Sequence, residues 1–190
     1  MRRRVILLAA LAVLSSCCQH PAPHAAAITL TDSDGHVCTP LAADGRTATV
    51  LLFLMHDCPV ANASAPAIAR LVADFVPRGV RFFGVYASET AAEINTHRRD
   101  YSLPFPGLLD PELKLARYAG ATRVPEAAVY SSAGELLYRG RIDDRAVSPG
   151  VTRPEPQRHD LRLALEAVLA GKSPEPKFTE AVGCYLPVAP

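Results

Sequence analysis

No charge of one sign dominates this 190-residue chain: 20 Lys and Arg face 19 Asp and Glu, for a formal net charge of +1. No arginine-rich run is interleaved with aromatics, so recognition of nucleic acid through a basic surface is not expected. A membrane-spanning run is missing as well, because the longest apolar stretch near the start falls short of the roughly 20 residues a bilayer needs. The five cysteines are too few to staple a disulfide-dense mini-fold, and a chain of this length buries a sufficient core without them. The six histidines are scattered, no spacing completes a zinc site, and there is no CxxCH for haem. Phosphate-cradling glycine loops and a nucleophilic-serine elbow are also absent, so no cofactor and no metal are expected. What is present, 49% hydrophobic and 21% charged residues, suits one soluble globular domain.

The first residues, "MRRRVILLAALAVLSSCC", give a basic segment followed by a short apolar one, the pattern of an export signal. Its end, "LSSC", resembles the lipobox of bacterial lipoproteins. Leu14 lies three residues before Cys17, small residues stand between, and Cys17 would be the lipidated residue after cleavage. The expected organisation is a signal peptide over 1–17, a Pro- and Ala-rich tether over 18–27, a domain over 28–172, and a proline-rich tail over 173–190 that carries Cys184. An ordinary secretory signal cut after Ala25–Ala27 is the alternative. Either places the domain outside the cytoplasm, where disulfides form and persist. The lipobox reading further expects a cell-envelope protein held to the membrane by a lipid anchor and facing the periplasm or exterior.

Along the domain, "ITLTDSDGHVCTPL" gives two short alternating runs around Asp34-Gly35, a hairpin signal. "TATVLLFLM" is a continuous apolar run of the kind expected for a central strand covered on both faces. After Cys58, Ile68, Leu71, Val72 and Phe75 form the stripe of an amphipathic helix ended by Pro77 and Gly79. "VRFFGVYA" reads as a second buried strand, and Thr90 with Glu93 as the capping box of the next helix. "FPGLL" reads as a short strand, with Asp110-Pro111 as N-cap and first residue of the helix "ELKLARYA". "EAAVY" and "ELLYRGRI" flank the turn "SSAG" as an antiparallel hairpin, and a last helix buries Leu161, Ala164, Leu165, Val168 and Leu169. Strands alternating with helices, then a hairpin, predict an α/β domain: a central mixed sheet flanked by helices on both faces, with an N-terminal β-hairpin.

A cysteine at the end of the first central strand and the start of its helix is similar to the thioredoxin fold. Pro66, eight residues past Cys58, stands where thioredoxin-like proteins tolerate a helix proline. "GATRVPEAAVY" resembles the segment that holds their cis-proline, which makes Pro125 the candidate. With "DCPVAN", "LPFPGLLDPELKLARYAGATRVPEA", "YRGRIDD" and "TEAVGC", residues 28–186 resemble an envelope-located subset of the alkyl hydroperoxide reductase and thiol-specific antioxidant family. The resemblance implies a thiol-dependent oxidoreductase acting on peroxide or protein disulfides, served by a thiol reductant. Three positions depart from the family patterns. Ala61 stands where a second thiol would complete a dithiol motif. Met55 stands where peroxidases of this family carry threonine, and Leu52 where thioredoxins bury an aspartate.

A thiol reacts as the thiolate, which a helix N-terminus favours through its unpaired N–H groups and dipole. Cys58 before Pro59 fits that position. His56 would add positive charge or act as a base, whereas Asp57 would oppose ionisation. Alternatively, Cys58 is a small buried hydrophobe. Cys184, in "TEAVGC", is either the resolving thiol for Cys58 or half of a static disulfide with Cys58 or Cys38. Arg123, Arg139 and Arg141 would either hold a thiolate or peroxide oxygen or form a solvated face paired with Asp143 and Asp144. The rival to an enzyme is a non-catalytic binding or structural module on the same fold, with a fixed disulfide.

Overall fold

The computed structural model describes residues 28–187; the leader, Cys17 and the tether lie outside the described residues. A seven-stranded sheet forms the centre. Its strands are β1 (Leu30–Asp32), β2 (Val37–Cys38), β3 (Ala48–Phe53), β4 (Val80–Tyr86), β5 (Gly107–Leu109), β7 (Glu126–Ser131) and β8 (Leu136–Gly140), and a two-residue β6 (Arg123–Val124) lies outside it. The spatial order is β2-β1-β5-β4-β3-β7-β8. β3, β4 and β5 run parallel, and the pairs β1·β5, β3·β7 and β7·β8 are antiparallel. The expected mixed sheet and N-terminal hairpin are therefore both present.

All six residues of β3 are buried, as its uninterrupted apolar sequence requires for a central strand with helices above and below. Helix α1 (Pro59–Phe75) returns from β3 to β4 and buries Ile68, Leu71, Val72 and Phe75 on one face. Pro66 sits on its exposed side within a continuous helix. Helix α2 (Ala91–Asp100) carries the full reciprocal capping box of Thr90 and Glu93. No helix among the described residues is long and apolar enough to cross a membrane.

One helix start differs from the sequence reading. Helix α3 spans Lys114–Ala119, not the segment beginning at Pro111. Asp110 still caps it, but from four residues away: its carboxylate accepts from the backbone N–H of Lys114 at 2.6 Å and of Ala116 at 3.0 Å. The intervening residues form a turn closed by Leu113 N–H on the Asp110 carbonyl, with Leu113 at φ +54°.

Helix α4 (Asp160–Leu169) closes the domain after a small antiparallel pair, β9 (Ala146–Ser148) and β10 (Val151–Thr152). The tail is ordered structure, which its lack of periodicity did not announce. At residues 177–179 it runs beside β8: Arg139 N–H donates to Lys177 O and Thr179 N–H donates to Arg139 O. The Thr179 hydroxyl bonds Tyr138 Oη at 2.7 Å and accepts from Arg141 N–H at 3.1 Å. The chain then forms β11 (Cys184–Tyr185), antiparallel to β6.

Candidate functional site

The site lies at the carboxyl end of β3, among the parallel strands where open α/β sheets place their ligand crevices. Beyond β3 the chain makes a tight turn, with Cys58 N–H bonded to Met55 O at 3.2 Å, and Asn62 N–H bonded to Cys58 O then starts the helix. Cys58 is thus the N-cap of α1 in extended geometry, followed by proline at the first helical position, which has no N–H to leave unpaired. Its side chain is 0% exposed. Its Sγ donates to the carbonyl oxygen of Val124 at 3.5 Å.

Val124 joins the two cysteines. It precedes Pro125 through a cis peptide bond, as the resemblance implied, and its strand partner in β11 is Cys184. Burial first, then interaction with the Cys58 sulfur, push the Cys184 thiol up to about 11. The described cysteines Cys38, Cys58 and Cys184 are all free thiols. Cys38 lies on β2 at the far edge of the sheet, 3.9 Å from Asp32 Oδ2, so a Cys38–Cys184 pairing is ruled out by their separation across the fold.

The turn that presents Cys58 is held by side chains the sequence did not single out. Glu89, 1% exposed at its side chain, accepts from His56 N–H at 3.0 Å and from Ser88 N–H at 3.1 Å. A carboxylate so deeply buried needs such donors. Asn62 donates its amide to His56 O at 2.9 Å, which turns its Oδ1 toward His97 Nε2 at 2.8 Å, and His97 Nδ1 meets Tyr86 Oη at 2.9 Å. With Asn62 Oδ1 the acceptor, His97 carries its proton on Nε2 and accepts from Tyr86. Burial, then the charge of His56, hold His97 below its ordinary value. Burial also pushes the Tyr86 hydroxyl far up, which keeps it a donor. An acidic residue just past a central parallel strand, and an amide one helical turn after the cysteine, were the available signals.

His56 and Arg123 do not bond the sulfur. The His56 ring turns its Nδ1 toward Glu89 Oε1 at 3.4 Å, and the Arg123 guanidinium lies 3.5 Å above the centre of the Tyr185 ring. His56, Asp57 and Glu89 gather within 4.8 Å and are the described residues that could face a cation. Arg139 and Arg141 do form ion pairs, but with Glu126 and Asp160 rather than with Asp143 and Asp144. Asp144 instead accepts from the backbone of Gln157 and Arg158, which leaves Arg141 to the start of α4. Leu52 is fully buried and apolar, and Met55 packs against the core.

A cysteine capping the first helix after a central parallel strand, beside a cis-proline, defines a thioredoxin-like fold. Residues 20–139 match the model of the AhpC/TSA family, and the chain belongs to that family; Cys184 lies beyond the matched segment. No curated protein sequence matches the chain. Among solved structures, an uncharacterized conserved protein of Geobacillus kaustophilus is 24% identical over 85% of this chain and 88% of its own, with a TM-score of 0.74. A hypothetical protein of Sinorhizobium meliloti 1021 is 24% identical over 83% and 88%, with a TM-score of 0.72. A secreted Mycobacterium tuberculosis disulfide oxidoreductase, described as homologous to Escherichia coli DsbE, is 21% identical over 79% and 99%, with a TM-score of 0.54. These likenesses establish the fold.

Proposed function

We propose that the protein is a thiol-disulfide oxidoreductase of the cell envelope, with Cys58 as attacking thiol, Cys184 as resolving thiol and protein disulfides as substrate. The observation that carries this reading is the convergence of both thiols on Val124, one at a helix N-terminus and the other on the strand paired to it. Ala61 leaves the helix turn without a second thiol, and Cys184 supplies it from the tail.

The electrons balance in two exchanges. The Cys58 thiolate attacks one sulfur of a substrate disulfide, forming a mixed disulfide and expelling the other substrate sulfur as thiolate. Cys184, once deprotonated, attacks the Cys58 sulfur, closes the Cys58–Cys184 disulfide and releases the second substrate thiolate. An external dithiol returns both cysteines to thiols. Met55 supports a disulfide over a peroxide substrate, since a thioether at this position in the turn before Cys58 offers no hydroxyl to orient a peroxide.

With a disulfide-bearing protein substrate and a dithiol reductant, the wild type is expected to turn over and Cys58→Ser to fall to background. Cys184→Ser is expected to accumulate a mixed disulfide on Cys58. Turnover retained in Cys58→Ser, or thiol loss to peroxide with none to disulfides, contradicts the reading. Envelope anchorage through Cys17 is part of the proposal: labelled fatty acid should enter the wild type and not Cys17→Ser, and equal labelling would contradict it.

A further inference from the structure

The edge strand beside Cys58 is filled by the protein's own tail, and the way it is filled shows what the edge accepts. Cys184 stands opposite Val124 and Tyr185 opposite Arg123, and Leu186 N–H donates to Thr122 O at 3.1 Å. Two features of this segment go beyond backbone pairing. At Gly183 the chain passes so close that a Cβ would fall on the Val124 carbonyl, so the residue before the cysteine must be glycine. Tyr185 is 69% exposed, yet the Arg123 guanidinium carbon lies 3.5 Å from the centre of its ring.

The hold on this segment is local. Four residues upstream of Gly183, Thr179 is tied by its hydroxyl to Tyr138 and Arg141, whereas residues 183–186 are held by a two-residue strand, the Leu186 N–H bond to Thr122 O, the half-buried Cys184 and Leu186 side chains and one exposed stacking contact. The upstream tie can stay in place while the edge is vacated.

We propose that Arg123 and the Val124 carbonyl are specificity determinants which select, among extended cysteine peptides, the sequence Gly-Cys-aromatic, and that residues 183–186 are the internal competitor for that edge. The inference rests on Cys58 being the attacking thiol. It makes substrate and resolving strand successive occupants of one edge: the substrate segment displaces Cys184 while its own sulfur is attacked, and return of the tail delivers Cys184 to the mixed disulfide.

The test uses peptides whose cysteine is joined by a disulfide to a chromogenic aryl thiol. Attack by Cys58 on the peptide sulfur breaks that bond and releases the aryl thiolate, which is followed in a single turnover. Gly183→Val drives the tail off the edge, and Leu186→Pro, which removes the N–H that meets Thr122, does so without touching the glycine. Both variants should react faster than the wild type. In either one, a peptide with Gly-Cys-Tyr should react about two- to five-fold faster than one with Gly-Cys-Ala, the size of an exposed cation–π contact. Arg123→Ala should erase that difference, and a Val-Cys-Tyr peptide should be the slowest of the three. Equal rates for all three peptides, a preference that survives Arg123→Ala, or no acceleration in either tail variant would overturn the inference. A Cys58 inert toward a small free aryl disulfide is a separate result, and it overturns the underlying function.

Discussion

The two segments that carry the thiols are held in opposite ways. Cys58 follows a strand with six buried residues paired on both sides, caps a 17-residue helix and has its turn tied to Glu89 and, through Asn62, to His97. Cys184 sits on a two-residue strand paired only to another of two residues, with Tyr185 exposed. Segments with few buried contacts open at lower free energy than the core. Under the proposed function this contrast is a division of labour: the attacking sulfur is fixed by the fold, and the resolving sulfur is carried on the more weakly held strand.

The largest effect that tests this contrast is on global stability. Leu52→Ala, in the buried strand that leads to Cys58, should cost about 2–5 kcal/mol in denaturant unfolding, whereas Tyr185→Ala should change it by less than about 0.5 kcal/mol. Tyr185→Ala should nonetheless slow closure of the Cys58–Cys184 disulfide. Equal stability losses at the two positions would break the comparison.

A smaller effect is expected in the polar ties. Asn62→Ala leaves His97 Nε2 and His56 O without their partner, at a cost of about 1–3 kcal/mol for the buried group left unpaired. The same variant should lower the reactivity of Cys58 toward a small disulfide. Thr179→Val removes the acceptor of Arg141 N–H and one of the two partners of Tyr138 Oη, which keeps its bond to Arg141 O, and should weaken tail docking while leaving the intrinsic reactivity of Cys58 unchanged. Thiol-labelling rates at Cys58 and Cys184 separate the two cases, and a Thr179→Val variant with slowed Cys58 attack would contradict the division.

The fold was legible where its causes are local. The apolar run of β3, the stripe of α1 and the Thr90–Glu93 box lie within a turn or a strand of themselves, and the cysteine-proline step marked the helix start. The Cys58 environment was not legible, because it is built across the chain: Glu89 reaches His56 over 33 residues and His97 reaches Asn62 over 35. In sequence, His97 looks like part of a polar helix surface. Cys184 could be named from "TEAVGC", but its pairing with Val124 depends on the tail crossing beside β8 first. The Asp110 cap was read correctly as a cap and placed too close, since a turn with a positive φ at Leu113 intervenes.

The smallest effects concern pH. His97 is held below its ordinary 6.5, chiefly by burial, so as pH falls below that value the unfolded chain takes up a proton that the folded site resists. Stability should therefore decline on acidification, and His97→Gln should remove that part of the decline. Cys184 is raised from 9.0 to about 11, chiefly by burial. Between those values the released tail loses its proton before the docked tail does, so docking weakens as pH rises. Hydrogen exchange at Leu186 N–H should quicken over that window and, in Cys184→Ser, should follow only the intrinsic pH dependence of exchange.

As proposed, Cys58 and Cys184 form one reversible redox pair. Equilibrating the native protein against graded mixtures of oxidised and reduced dithiol, followed by alkylation and peptide mapping, measures it directly. Cys58 and Cys184 should lose their alkylation together, at one midpoint, in a single disulfide that leaves Cys38 free. Independent alkylation of the two thiols at every ratio, or a Cys58 that pairs with Cys38, would contradict it.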